Sequence, residues 1–224
     1  MLFPEFKSIV IFDTHQLIVR ATSFNLPLVD GTLQLIDTCL SKIKTYDNVY
    51  CCFDSPTSYR KNIYSGYKHN RGTHYVTNEF SMLINRLLDR KYTICLEDGY
   101  EADDLIAKLC PLDPIALKII VSNDEDLYQL LDNNTTLFRY CNSKYEYYNY
   151  DNFIVEYGIL PSQWIDVKSI CGCSSDNIKG IQGIGLKKVL NYLKNGDEIL
   201  QSKINIENDL IKLNKKLVTL PYVD

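Results

Sequence analysis

The chain has 224 residues, 46% of them hydrophobic and 23% charged, with a formal net charge of −4. That balance excludes a disordered or low-complexity chain, a collagen-like fibre and a uniformly basic nucleic-acid binder, but not locally basic surfaces. The length allows a core without disulfide staples, and no apolar run reaches the ~18 residues of a membrane span.

Residues 8–12 (SIVIF) form a short apolar run that predicts a strand buried on both faces. Residues 33–43 space Leu33, Leu35, Ile36, Leu40 and Ile43 as a helix does. Residues 48–53, 93–96 and 117–121 predict three further strands, and 136–140 another. Helices are expected at 101–109 and 124–131. Alternating strands and helices imply parallel βαβ units, so the expected fold is α/β with a mostly parallel central sheet flanked by helices. The last third reads as helical from Pro161, which suits a first helical turn. The expected organisation is a catalytic core over 1–160, including an arch over 55–91, and a helical region over 161–224 packed on it. The N-terminal decapeptide carries Glu5 and Lys7 and does not read as a secretory signal. The eight cysteines form no Cys-x-x-Cys pair, so reduced thiols in a cytoplasmic setting are expected rather than zinc.

Acids follow the predicted strands. Asp13 follows the first and Asp54 the second; Glu101, Asp103 and Asp104 follow the third, and Asp124 and Asp126 the fourth. In a parallel sheet those strand ends share one edge, where ligands bind. Each acid alone is explained as well by helix capping. Together they repel: two unit charges ~4 Å apart cost about 4 kcal/mol at an effective dielectric near 20. Divalent Mg²⁺ or Mn²⁺ would neutralise them, and two such ions ~4 Å apart suit phosphodiester displacement.

Two basic segments complement the acids. Residues 55–78 contain Arg60, Lys61, Lys68 and Arg71, no acid, and interleaved tyrosines that could stack on unpaired bases. Lys68 or Arg71 could stabilise charge on a scissile phosphate. The plain alternative is a solvated loop. Further on, Asp176-Asn-Ile-Lys179-Gly180-Ile-Gln-Gly183-Ile-Gly185-Leu-Lys187-Lys188 combines glycines, a helix start and lysines. Such an element grips a phosphate backbone without reading sequence. A plain helix connection is the alternative.

The ordered motifs Phe12-Asp13, Phe53-Asp54, Tyr67-Lys68-His-Asn-Arg71, Glu101-Ala-Asp103-Asp104, Ser122-Asn-Asp124-Glu-Asp126 and Ser174-Ser-Asp176-Asn-Ile-Lys-Gly180 resemble those of the flap endonuclease / 5′–3′ exonuclease family. The similarity is to bacteriophage-type 5′-nucleases and the 5′-nuclease domain of bacterial DNA polymerase I. It implies a helical arch over the site and a helix-hairpin-helix element that binds duplex DNA. It implies a first metal held by Asp54, Asp103, Asp104 and Asp124 with Asp13 and Glu101 nearby, and a second held by Asp126 and Asp176. Tyr67, Lys68 and Arg71 would be catalytic. Arg60 and Lys61 would be arch charges, and Lys179, Gly180, Gly183, Gly185, Lys187 and Lys188 would contact DNA. The implied cofactor is two Mg²⁺ or Mn²⁺ ions, with K⁺ at the hairpin turn. The implied substrates are branched, nicked or 5′-flap DNA and RNA–DNA hybrids. A monomer in the cytoplasm, or in a host's cytoplasm for a virus, is expected, with no membrane partner.

One departure stands out. The family pattern G-D-S-S-D reads Gly172-Cys173-Ser174-Ser175-Asp176 here. A thiol is a poor Mg²⁺ ligand, so the second metal position is expected to be weakened. The alternative function is therefore a structure-specific DNA-binding protein with reduced catalysis. A PIN-type ribonuclease fits less well because of the glycine-rich element. A phosphatase using Asp13 fits less well because His15 stands where a second acid is wanted.

Overall fold

The run SIVIF becomes β1 (Ser8–Asp13) because alternate residues find apolar partners on opposite faces. Ile9 and Ile11 join one core cluster, Val10 and Phe12 the other. Each such side chain contributes about 1.5–3 kcal/mol when fully buried. The computed structural model describes residues 7–69 and 77–223. After β1 come α1 (Thr14–Ser23), α2 (Leu28–Ile43), β2 (Asn48–Cys52), α3 (Tyr59–Ile63), α4 (Thr77–Asp89), β3 (Thr93–Cys95) and α5 (Ala102–Leu109). There follow β4 (Leu117–Val121), β5 (Thr135–Cys141), β6 (Lys144–Tyr148), α6 (Tyr150–Tyr157), α7 (Trp164–Cys171), β7 (Gly172–Cys173) and β8 (Ile178–Lys179). Helices α8 (Leu186–Asn195), α9 (Glu198–Ile206) and α10 (Asn208–Val218) close the fold.

The six-stranded sheet has the order β3-β2-β1-β4-β5-β6. All pairings are parallel except the β5–β6 hairpin. The chain thus winds outward from β1 in one direction and from β4 in the other. The crevice where the winding reverses lies at the C-terminal ends of β1 and β4, which is where ligands sit in such sheets.

The helical last third shares the core of the sheet. Trp164 of α7 packs edge-on against Tyr128 and Phe153, with Tyr157 beside it, all within one cluster that also contains Ile9 and Ile11.

Two expectations are corrected, and one helix stands where no element was predicted. The segment after β4 is a 3₁₀ helix, Glu125–Leu130, not an α-helix, and Asp124 caps it by accepting from the Asp126 N–H. Within the expected arch over 55–91, α4 belongs to the core: Leu83 and Leu87 are fully buried with β1 and β2. Residues 14–23 form a helix, although Thr14, Ile18, Val19 and Thr22 are β-branched, because Leu17, Ile18 and Ala21 are buried in the core.

Between α7 and α8 the backbone crosses itself. A Cβ on Gly180 would come within 2.0 Å of the Cys171 carbonyl oxygen, whereas one on Gly185 would meet nothing. Gly180→Ala is expected to destabilise the fold by about 1–3 kcal/mol through overpacking. Gly185→Ala should leave the urea midpoint unchanged, so equal midpoints for the two variants would contradict this packing.

Candidate active site

Asp13, Asp54 and Asp124 meet at the crevice because each follows a neighbouring strand. One Asp13 oxygen caps α1 by accepting from the Gln16 N–H at 3.1 Å; the other accepts from Ser122 Oγ at 2.8 Å. The Asp124 N–H donates to the same Ser122 hydroxyl, tying the ends of β1 and β4 together. Asp54 accepts from the Ala102 N–H at 2.8 Å, which fixes the start of α5 against the end of β2. Capping and site formation are thus served by the same carboxylates.

Burial, and then the neighbouring Asp54 and Asp124, push the Asp13 carboxyl up to about 7. Burial, and then Asp126, raises Asp124 to about 6. Burial also raises Asp103 well above the ordinary range. These shifts mark negative charge gathered without enough counter-charge of its own. The donors are hard oxygens on adjacent strand ends, which fits divalent ions of the Mg²⁺ or Mn²⁺ kind. His15 adds an imidazole, its Nε2 lying 3.6 Å from Asp54.

Glu101 anchors the basic segment. Its Oε2 accepts from Tyr67 Oη at 2.9 Å and Lys68 Nζ at 2.5 Å, and its Oε1 from Ser58 Oγ at 3.0 Å. Burial opposes its ionisation, but Lys68 and Arg60 outweigh that and hold it at about 2. Lys68 adopts a left-handed backbone (φ 48°), and its N–H donates to the Asp176 carbonyl at 2.9 Å. The Asn177 side chain donates to the Gly66 carbonyl. The segment bearing Lys68 is therefore fastened to the segment bearing Asp176, and the ammonium faces the carboxylates.

Arg60 and Asp104 differ from expectation. Arg60 is 1% exposed, not a surface arch charge. Its guanidinium binds Asp104 through two bonds of 2.5 and 2.8 Å, and its Nε donates to the Leu217 carbonyl at 2.7 Å. Asp104, expected among the metal ligands, also accepts from the Tyr222 and Glu101 N–H groups, so both its oxygens are occupied. This pair locks α3, α5 and the C-terminal segment together.

A second group forms beside the first. Ligand atoms of Asp126, Cys173 and Asp176 lie within 4.8 Å of one another. Lys168 Nζ stands 2.7 Å from Asp126 Oδ1. That oxygen still receives no well-directed hydrogen bond, so the contact is an ion pair. Neither Lys168 nor His15 carries a local sequence signal of its place beside these carboxylates; the fold alone brings them there.

On the far side of α7, Lys179, Lys187 and Lys188 are exposed around the glycine turn, with Gly183 left-handed (φ 73°) and Gly185 at the start of α8. Gly180, expected to face phosphate, is instead consumed by the backbone crossing described above. Lys61 is exposed; Tyr67 is 2% exposed and bonds Glu101 rather than offering a stacking face. Arg71 and Tyr75 lie outside the described residues.

A doubly wound α/β fold with paired carboxylate groups and a half-buried lysine at its switch point defines a class, the metal-dependent nucleases. Residues 8–158 match the model of the 5′-3′ exonuclease N-terminal resolvase-like domain. The 5′-3′ exonuclease of Mycoplasma pneumoniae is 34% identical over 220 residues, covering 93% of this chain and 74% of its own. DNA polymerase I of Bacillus subtilis is 30% identical over 249 residues, covering 96% of this chain and 28% of the polymerase. The chain belongs to the 5′-3′ exonuclease family. Its fold is that of the bacteriophage T5 D15 flap endonuclease, solved in complex with DNA and metal ions (TM-score 0.76, 21% identity, 96% and 90% of the two chains). It is also that of the catalytic core of Rad2 with DNA substrate (TM-score 0.65, 15% identity, 98% and 80%). Among the described residues no helix is long and apolar enough to cross a membrane.

Proposed function

We propose that this chain is a structure-specific 5′-nuclease that hydrolyses phosphodiester bonds near the 5′ ends or flaps of branched or nicked DNA, and of RNA–DNA hybrids, in the cytoplasm of a bacterium or infected cell. The observation that carries the reading is the meeting of Asp13, Asp54 and Asp124 at one strand edge, faced by Lys68. Asp13, Asp54, Asp103 and Asp124 would hold one Mg²⁺ or Mn²⁺, and Asp126 and Asp176 a second. Bound there, the ions would supply Lewis acidity and offset the phosphate's charge. The chain's own groups do the rest. Lys68, held by Glu101 and the Asp176 carbonyl, presents its ammonium to the scissile phosphate. Arg71 adds a second cation from the same segment. Lys61 holds the approaching strand. Lys179, Lys187, Lys188 and the N–H groups at Gly183 and Gly185 hold the duplex backbone, with a K⁺ ion at the turn. The net charge of −4 does not oppose this, because Lys179, Lys187 and Lys188 are gathered and exposed around the glycine turn. Affinity should fall steeply with salt.

A 5′-labelled flap duplex tests the reading. Release of the flap with Mg²⁺ and its abolition by EDTA are expected. Tight binding without release under Mg²⁺ and Mn²⁺ would instead favour a DNA-binding protein.

A further inference from the structure

We propose that Cys95 and Cys52 form a site of reversible oxidation: hydrogen peroxide oxidises Cys95, Cys52 resolves it as a disulfide, and the bridged chain cleaves DNA more slowly. The bridge stands on the geometry of β2 and β3; only its effect on cleavage rests on the nuclease reading above. The two cysteines are the last residues of these parallel strands and are direct partners in the register. Side chains at paired positions leave the sheet on the same face, and here both meet the core cluster that contains Leu105 and Ile106 of α5. Adjacent strands lie about 4.8 Å apart, inside the Cα separation of about 4.4–6.8 Å that a disulfide spans. The Cys52 thiol donates to the Cys95 sulfur, and that bond holds Cys95 below the ordinary thiol range. Burial lifts Cys39, Cys51, Cys110, Cys171 and Cys173 instead. β3 is an edge strand of the sheet, and Cys95 is half-buried where Cys52 is fully enclosed. An accessible, more acidic thiol beside an enclosed partner is what peroxide oxidises first and a neighbour then resolves.

Two steps carry the oxidation. The Cys95 thiolate attacks one peroxide oxygen, the O–O bond breaks, and a sulfenic acid forms while hydroxide leaves and takes up the proton that Cys95 gave to solvent. The Cys52 sulfur then attacks the sulfenic sulfur: an S–S bond forms, the S–O bond breaks, and the hydroxyl leaves as water with the Cys52 proton. Two thiols and one hydrogen peroxide give one disulfide and two waters; sulfur is oxidised and peroxide oxygen is reduced. The bridge closes off the stretch that carries Asp54, Lys61 and Lys68. Asp54 follows Cys52 by two residues and accepts from the Ala102 N–H, and Ser55 and Thr57 donate to Asp98 in the loop after Cys95. Drawing the two sulfurs to bonding distance shifts these strand ends, and a misplacement of about 1 Å costs up to about a hundredfold in rate.

The full chain, reduced and then freed of dithiothreitol, is treated with a slight excess of hydrogen peroxide. The free-thiol count is expected to fall by two from eight, with a peptide map joining the segments that hold Cys52 and Cys95. Cleavage of a 5′-labelled flap should slow at least about tenfold and recover with dithiothreitol. Cys95→Ser should lose no thiol and keep its rate under the same treatment. Cys51→Ala, which removes the adjacent thiol on the opposite face of the sheet, should still form the bridge. An unchanged thiol count in the wild type, or the same loss in a Cys95→Ser variant that melts like the wild type, would overturn the proposal. A bridge that leaves the cleavage rate unaltered would overturn the inhibition. A bridge with no cleavage by the reduced protein under Mg²⁺ or Mn²⁺ would overturn the nuclease reading and leave the bridge standing; cleavage indifferent to peroxide, with all thiols intact, would do the reverse.

Discussion

Replacing Lys68 by alanine is expected to slow hydrolysis at a duplex 5′ end by about a hundred- to a thousand-fold, the usual cost of losing one preorganised charge-stabilising group. Duplex affinity should change little, because the exposed lysines of the glycine turn lie on a different element. The reason is geometric. Lys68 is held by Glu101 at 2.5 Å and by its own N–H on the Asp176 carbonyl, so its ammonium is positioned before substrate arrives. Glu101 keeps Tyr67, Ser58 and the nearby Arg60 when Lys68 is lost, so the fold should survive. Single-turnover cleavage with saturating enzyme reads the chemical step directly. A wild-type rate for Lys68→Ala would remove the residue from the catalytic group.

Replacing Arg60 by alanine should act on stability instead. It leaves the fully buried Asp104 without its guanidinium partner and frees the Leu217 and Thr219 carbonyls that Arg60 caps. Breaking one side of a buried pair costs about 3–5 kcal/mol. At about 2–4 °C per kcal/mol for a chain of this size, the melting midpoint should fall by about 6–20 °C. Lys61→Ala, one residue along and exposed, should leave the midpoint unchanged and weaken salt-sensitive DNA binding. If Arg60→Ala melts with the wild type but loses DNA affinity, the guanidinium faces DNA and the buried pairing is wrong.

The two residues show where reading a sequence stops. Arg60 and Lys61 look alike in a basic, acid-free stretch, and nothing local separates them. What separates them is Leu217, 157 positions away, whose carbonyl accepts from one and not the other. The same holds for Asp103 and Asp104. Adjacent carboxylates on a helix point in different directions, and only packing against the C-terminal segment decides which is consumed by a guanidinium. Lys168 stayed hidden because a lone lysine in an apolar helix has no signature until Asp126 is placed beside it.

What the sequence by itself determined was the sheet and the gathering of acids at one edge. A strand buried on both faces must be written as an unbroken apolar run, and the residue that follows it must emerge at the sheet's edge. Asp13, Asp54 and Asp124 could therefore be assigned to a common edge from local pattern alone. Only the tertiary structure decided which charged groups face substrate and which hold the chain together. An ion pair's role depends on the burial of both partners, and burial is a property of segments remote in sequence meeting in space.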